Sequence, residues 1–171
     1  SLEASHRAFE AFLTALATSA PTVSLVAGAA LEMPSGTALG DGLLAIDVLL
    51  VAHDTATRRT TLRIGEIKSF VDRGGHTDRA ALASARAQAG LYLHVLRHTL
   101  DRLGLSARVT AADDGFLVLK SVTSNYPRVR APEELRWQAA RASRALDRLR
   151  IVQQHALPSP ADLRGPRRLQ V

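Results

Sequence analysis

The chain has 171 residues, a net charge of +6 at pH 7 and a pI near 10.9, with 46% hydrophobic and 22% charged residues. That composition predicts one globular domain with a genuine core. The absence of cysteine excludes disulfides, thiolate metal sites and cysteine-ligated iron–sulfur clusters. No apolar run approaches the ~18 residues of a membrane span, and the N-terminus lacks a signal-peptide core, so no membrane partner and a cytoplasmic location are expected. The basic excess is carried by 20 arginines against two lysines, Lys68 and Lys120. It points to an anionic partner such as nucleic acid, although arginine bias in a GC-rich genome gives the same composition.

Residues 5 to 18 place Phe9, Phe12, Leu13 and Leu16 on one helical face, with Ser5 as N-cap and Pro21 as terminator. Residues 22 to 33 read as a strand with a glycine irregularity, closed by the turn Pro34-Ser35-Gly36. "GLLAIDVLLVA" (42 to 52) is apolar on both faces except for Asp47, and "TTLRIGEIKSF" (60 to 70) is its antiparallel partner across a polar turn. After the loop at 71 to 78, Thr77 or Asp78 caps a long alanine- and leucine-rich helix over 79 to 103, stopped by Gly104. Residues 107 to 121 read as a hairpin about Asp113-Asp114-Gly115. A loop over 124 to 132 follows, and Pro132 opens a second long helix from Glu133 to about Gln154. On that helix Leu135, Ala139, Ala142, Leu146 and Leu149 form an apolar stripe, while Trp137, Arg141, Arg144 and Arg148 form another.

This order predicts an α/β fold with a mixed sheet of about five strands flanked by helices. A domain over 1–157 and a basic, irregular tail over 158–171 are expected. No glycine-rich phosphate loop is present.

Glu66 and Lys68 stand two apart in an otherwise apolar strand, hence on one face of the pleat. The cost of burying them is several kcal/mol unless each is paired or bound to a metal. Residue numbers opposed in an antiparallel hairpin share one sum. Asp47 and Glu66 give a turn centre of 56.5, the middle of "TATR" (55 to 58). In that register the two carboxylates are cross-strand neighbours about 5 Å apart, and Lys68 lies one pleat further on. Close carboxylates raise each other's pKa unless a cation sits between them. Lys68 can be that cation in a purely structural cluster. A hard divalent ion such as Mg²⁺, which takes few carboxylates and keeps waters, also matches the donor set.

Asp47 followed by Glu66-Ile67-Lys68 on the next strand resembles the PD-(D/E)xK nuclease superfamily signature. Gln88 and Tyr92, at helical i,i+4 spacing, resemble the glutamine-xxx-tyrosine motif of its RecB-type branch. The match in order and element type runs from about residue 5 to residue 100. The resemblance implies a restriction-endonuclease-like core and metal-dependent cleavage of DNA. It also implies that Asp47, Glu66 and the Ile67 main-chain carbonyl bind Mg²⁺ or Mn²⁺. Lys68 would orient the attacking water, with Gln88 and Tyr92 orienting the lysine and contacting the DNA backbone. Family members often add an upstream histidine or glutamate, for which His6 and Glu10 are the candidates. Leu44 departs from the glycine that relatives often carry three residues before the aspartate, and the cluster-binding cysteines of several relatives are missing. DNA repair or defence is the implied setting.

Taken singly, each charge reads as a solvated strand position, Gln88 as a surface amide and Tyr92 as an ordinary core tyrosine. Arg141, Arg144 and Arg148 are candidate nucleic-acid contacts or simply a solvated helix face. His94 and His98 have zinc-compatible spacing, but no third ligand stands out. The alternative to an enzyme is a non-catalytic nucleic-acid-binding or scaffolding module with a nuclease-like fold. The start at Ser1 without methionine makes further domains or subunits of a larger nucleic-acid-processing assembly the expected partners.

Overall fold

The structure, a computed structural model, describes residues 1–35, 42–73 and 76–154, so the expected tail over 158–171 lies outside the described residues. In chain order the elements are α1 (Leu2–Ala15), β1 (Leu25–Glu32), β2 (Leu43–Asp54), β3 (Arg59–Asp72), α2 (Arg79–Arg102), β4 (Val109–Ala111), β5 (Asp114–Ser121), β6 (Arg128–Glu134) and α3 (Arg136–Gln154). The strands form one mixed sheet in the order β1-β2-β3-β5-β6, with β4 beside β3 off that path. The fold is therefore α/β, a six-stranded mixed sheet flanked by three helices, one strand more than the sequence pattern predicts.

The β2–β3 hairpin has the predicted register: the numbers in every pair from Asp54↔Arg59 to Val48↔Gly65 add to 113. Asp54 fixes the turn by accepting the Ala56 N–H at 2.9 Å and the Thr57 hydroxyl at 2.6 Å. Helix α2 begins at Asp78, whose carboxylate accepts the Ala81 N–H at 2.7 Å, and Gly104 beyond its end has φ +68. Thr77, the other cap candidate, instead gives its hydroxyl to Asp72.

Three expectations are corrected. Helix α1 starts at Leu2 with Ser1 as its cap, so Ser5 lies inside it and donates its hydroxyl to the Gly28 carbonyl. The segment around residue 113 is not a hairpin, because β4 and β5 both pair parallel to β3. Helix α2 carries the chain back to the start of β3, so the strands after it run in the β3 direction. Gly115 is needed there: a Cβ would stand 2.4 Å from the Ile64 carbonyl oxygen on β3. Finally, residues 128–134 form an edge strand rather than a loop, and α3 begins at Arg136. Pro132 lacks an N–H, which an edge strand tolerates.

Two apolar clusters make the core. The larger joins Phe9 and Leu13 of α1 to Leu49, Val51, Leu62 and Ile64 of the sheet and to Leu93 and Leu96 of α2. The smaller comprises Leu82 and Ala85 of α2 with Leu117 and Leu119 of β5, and Phe70 packs against it. On β3 the two are separated by Glu66 and Lys68, and on α2 by Gln88. From the expected α3 stripe, Leu135, Ala139 and Leu146 are buried, whereas Leu149 is exposed.

Helix α3 seats on α2 at Gly90, where an added Cβ would stand 2.3 Å from Gln138 Cβ and 2.7 Å from its backbone carbon. Alanine favours a helix over glycine by roughly 1 kcal/mol, but overpacking against backbone costs about 1–3 kcal/mol. Gly90→Ala is therefore expected to lower stability by about 1–2 kcal/mol in urea unfolding. An unchanged or raised midpoint would show that α3 does not seat on α2 at this residue.

Candidate metal centre

The sheet forks where the charges lie. Strand β2 stays paired with β1 down to Leu43, and β3 continues beside β5 to Asp72, but the β2–β3 pairing stops at Val48 and Gly65. Asp47 and Glu66 are the next residues on the two strands. Asp47 bridges the fork by accepting the Ile67 N–H through Oδ2 at 2.8 Å. On the β1 side, Gly28 falls opposite Asp47, between the pairs Ala27↔Val48 and Ala29↔Ile46. Gly28 has φ +64, and a Cβ there would meet no atom within 4 Å, so the glycine serves the backbone conformation and not a close approach. Just past Lys68 the β3–β5 register shifts, a bulge beside the site.

Glu66 is fully buried. Lys68 Nζ pairs with its Oε1 at 2.6 Å, and Oε2 has no partner. Lys68 donates to Gln88 Oε1 at 2.8 Å, and Gln88 Nε2 donates to the Tyr92 oxygen at 2.6 Å. The amide orientation follows from chemistry: an ammonium is only a donor, so the amide oxygen must face it. Glu66, Lys68, Gln88 and Tyr92 thus form one connected line from β3 to α2, ending on a phenol that is itself buried.

Burial pushes the Glu66 pKa above the ordinary carboxylate range, and the charge of Asp47 adds to the rise while Lys68 opposes it. Burial also raises the Tyr92 phenol, helped by the charges of Glu66 and Asp47 and opposed by the Gln88 hydrogen bond. Tyr92 is therefore neutral at physiological pH, with its own O–H available as a donor.

The donor set suits a hard divalent cation, which takes one or two carboxylates and retains waters. Two carboxylates, one of them buried with a single oxygen unpartnered, converge at the fork. Among the described residues no three His, Asp or Glu side chains gather to hold an ion by themselves. His6 Nδ1 lies 3.2 Å from the Ala30 carbonyl, and its Nε2 lies 3.7 Å from Glu10, which also pairs with Arg102 of α2. Arg141, Arg144 and Arg148 are exposed along α3. Burial lowers the His94 pKa, as do the neighbouring His98 and Arg97, against the pull of Asp147. Comparison of the chain with protein-family models, curated proteins and solved structures finds no match.

Two features escape a reading of the sequence. The position of Gly28 opposite Asp47 depends on the β1–β2 register, whose connection has no fixed turn centre. Glu133, placed by its proline at a helix start, is instead buried in β6 between Arg86 and Arg130.

The sign of the Glu66 shift gives a stability test. Below the unfolded pKa the group is protonated in both states and adds no penalty. As pH rises through the raised folded value, the charge remains buried and stability falls. Glu66→Gln removes that penalty, so without divalent ions its Tm should exceed wild type at pH 8. The gain should vanish near pH 4. A thermal scan showing no gain at pH 8 would mean the Lys68 contact already compensates the buried charge.

Proposed function

We propose that the chain is a Mg²⁺- or Mn²⁺-dependent phosphodiesterase acting on DNA, with a restriction-endonuclease-like core of the PD-(D/E)xK superfamily, RecB-type branch. One observation carries the reading: a fully buried glutamate, met only by the Lys68 ammonium, sits at a sheet fork beside a second carboxylate and is tied to a lysine–glutamine–tyrosine line. A structural charge cluster would be expected to satisfy its buried oxygens. Here Lys68 meets Oε1 alone and Oε2 has no partner, which supports a further ligand.

Asp47, Glu66 and the Ile67 main-chain carbonyl would hold the ion. Bound there, it would polarise the phosphodiester and acidify water. The residues around it supply the rest. Lys68 has three N–H donors; Gln88 holds one and Glu66 faces a second, leaving the third to orient a water while the charge offsets that on the phosphoryl oxygens. Gln88 is fixed in turn by Tyr92. Hydrolysis adds the water oxygen to phosphorus and releases the ester oxygen as a hydroxyl. The exposed Arg141, Arg144 and Arg148 would contact phosphates away from the cut.

Cleavage of single- and double-stranded DNA in Mn²⁺ tests the reading. Glu66→Gln and Lys68→Met should each lower the rate about 10²–10⁴-fold, and Gln88→Ala, acting through the lysine, about tenfold. Asp47→Asn should weaken Mn²⁺ binding in calorimetry. Undiminished cleavage by both Glu66→Gln and Lys68→Met would overturn the site. DNA binding without Mn²⁺ binding or cleavage would favour a non-catalytic module.

A further inference from the structure

The chain's one tryptophan is not in the core. Trp137 stands at the start of α3, 63% exposed, with the Arg136 guanidinium 5.0 Å from its ring centroid. Exposing an indole forgoes about 2 kcal/mol of burial, so the position has no stabilising reason of its own. Its surroundings are basic and built. Glu133, 2% exposed, holds Arg86 of α2 at 2.6 Å and Arg130 of β6 through its two oxygens. Each guanidinium keeps about a third of its side chain in solvent. One buried carboxylate thus orients two surface guanidinium groups and neutralises one. Gln138, the residue after Trp137, packs on Gly90, one helical turn along α2 from Arg86. Arg141 extends the exposed face a turn further along α3. The one exposed carboxylate among these residues, Glu134, lies 3.7 Å from Arg136.

We infer that Arg86, Arg130, Arg136 and Trp137 form a second nucleic-acid contact, in which the indole stacks on an unpaired base and the paired arginines take a backbone phosphate. Stacking on an aromatic ring needs a base whose face is free, which a duplex offers only at its ends. The charge favours a polyanion over a protein partner. The inference rests on the phosphodiesterase reading for the path of the strand. Gln88, at the metal site, lies on one flank of α2, and Arg86 with Gly90 lies on the other, a helix diameter of about 10 Å away. The crest between them carries Ala83, Ser84 and Ala87, all exposed and short. A single strand lying over that saddle would run from the Lys68 side of α2 toward Trp137.

The lone tryptophan makes the test direct. The full chain in EDTA, where no strand is cut, is titrated with oligothymidylate about 15 nucleotides long while indole emission is followed. Saturable quenching is expected, much weaker with a duplex of equal length. Trp137→Ala, at an exposed position, should weaken binding about tenfold by anisotropy, and Trp137→Phe should restore most of it. Arg130→Gln leaves Glu133 paired with Arg86 and should lower the slope of log affinity against log salt by about one. Absent quenching, or a Trp137→Ala affinity equal to wild type, overturns the contact and points to a protein partner. Equal quenching by duplex overturns the unpaired-base specificity. The two readings fail separately: quenching without Mn²⁺-dependent cleavage sinks the phosphodiesterase, and cleavage without quenching sinks this contact.

Discussion

A carboxylate buried against a single ammonium sets the terms for the rest of this fold. Glu66 lies where β2 and β3 part, just beyond the last pair of that ladder, yet it is fully buried. Its support is electrostatic: the Lys68 ammonium at 2.6 Å, itself tied to α2 through Gln88. Asp47 adds repulsion rather than relief. A polar seam consequently divides the core in two, and each apolar cluster closes on its own side of it. Such an arrangement is costly for stability and is retained where something other than stability is at stake.

Helix α2 is the element that makes the seam tolerable. Its inward residues divide between the clusters, Leu82 and Ala85 in the smaller and Ala89, Leu93 and Leu96 in the larger, so one helix joins the two. One flank presents Gln88 to the lysine, and the other presents Arg86 to the buried Glu133. The same rigid cylinder therefore fixes two charged groups on opposite sides, which loops of similar length would not do. Between Gln88 and Arg86 the exposed residues Ala83, Ser84 and Ala87 are short, so the two flanks are joined there over a low surface.

Much of this was legible in the sequence because its physics is local. The β2–β3 register follows from a turn whose centre can be counted, and Gln88 and Tyr92 share a face by helical spacing alone. What was not legible is non-local. Nothing near residues 107–121 says that β4 and β5 pair with β3 rather than with each other, since that depends on where α2 returns the chain. Glu133 follows a proline, a pattern common to helix starts, and only the approach of Arg86, 47 residues earlier, reveals it as a buried anchor. His6 and Glu10 face the same limit: their spacing is visible, but the Ala30 carbonyl and Arg102 that engage them are not.

Charge at the fork links stability to the proposed chemistry. Asp47 and Glu66 contribute two negative charges and Lys68 one positive, which leaves the ion-free site with a net charge of −1. A singly charged phosphodiester would be repelled from such a site. A divalent cation reverses the sign to +1, relieves the desolvated Glu66 and frees Lys68 from acting as its sole counter-ion. On the proposed reading, the same ion that makes the buried glutamate affordable makes the site attractive to its substrate, so substrate affinity should follow ion occupancy.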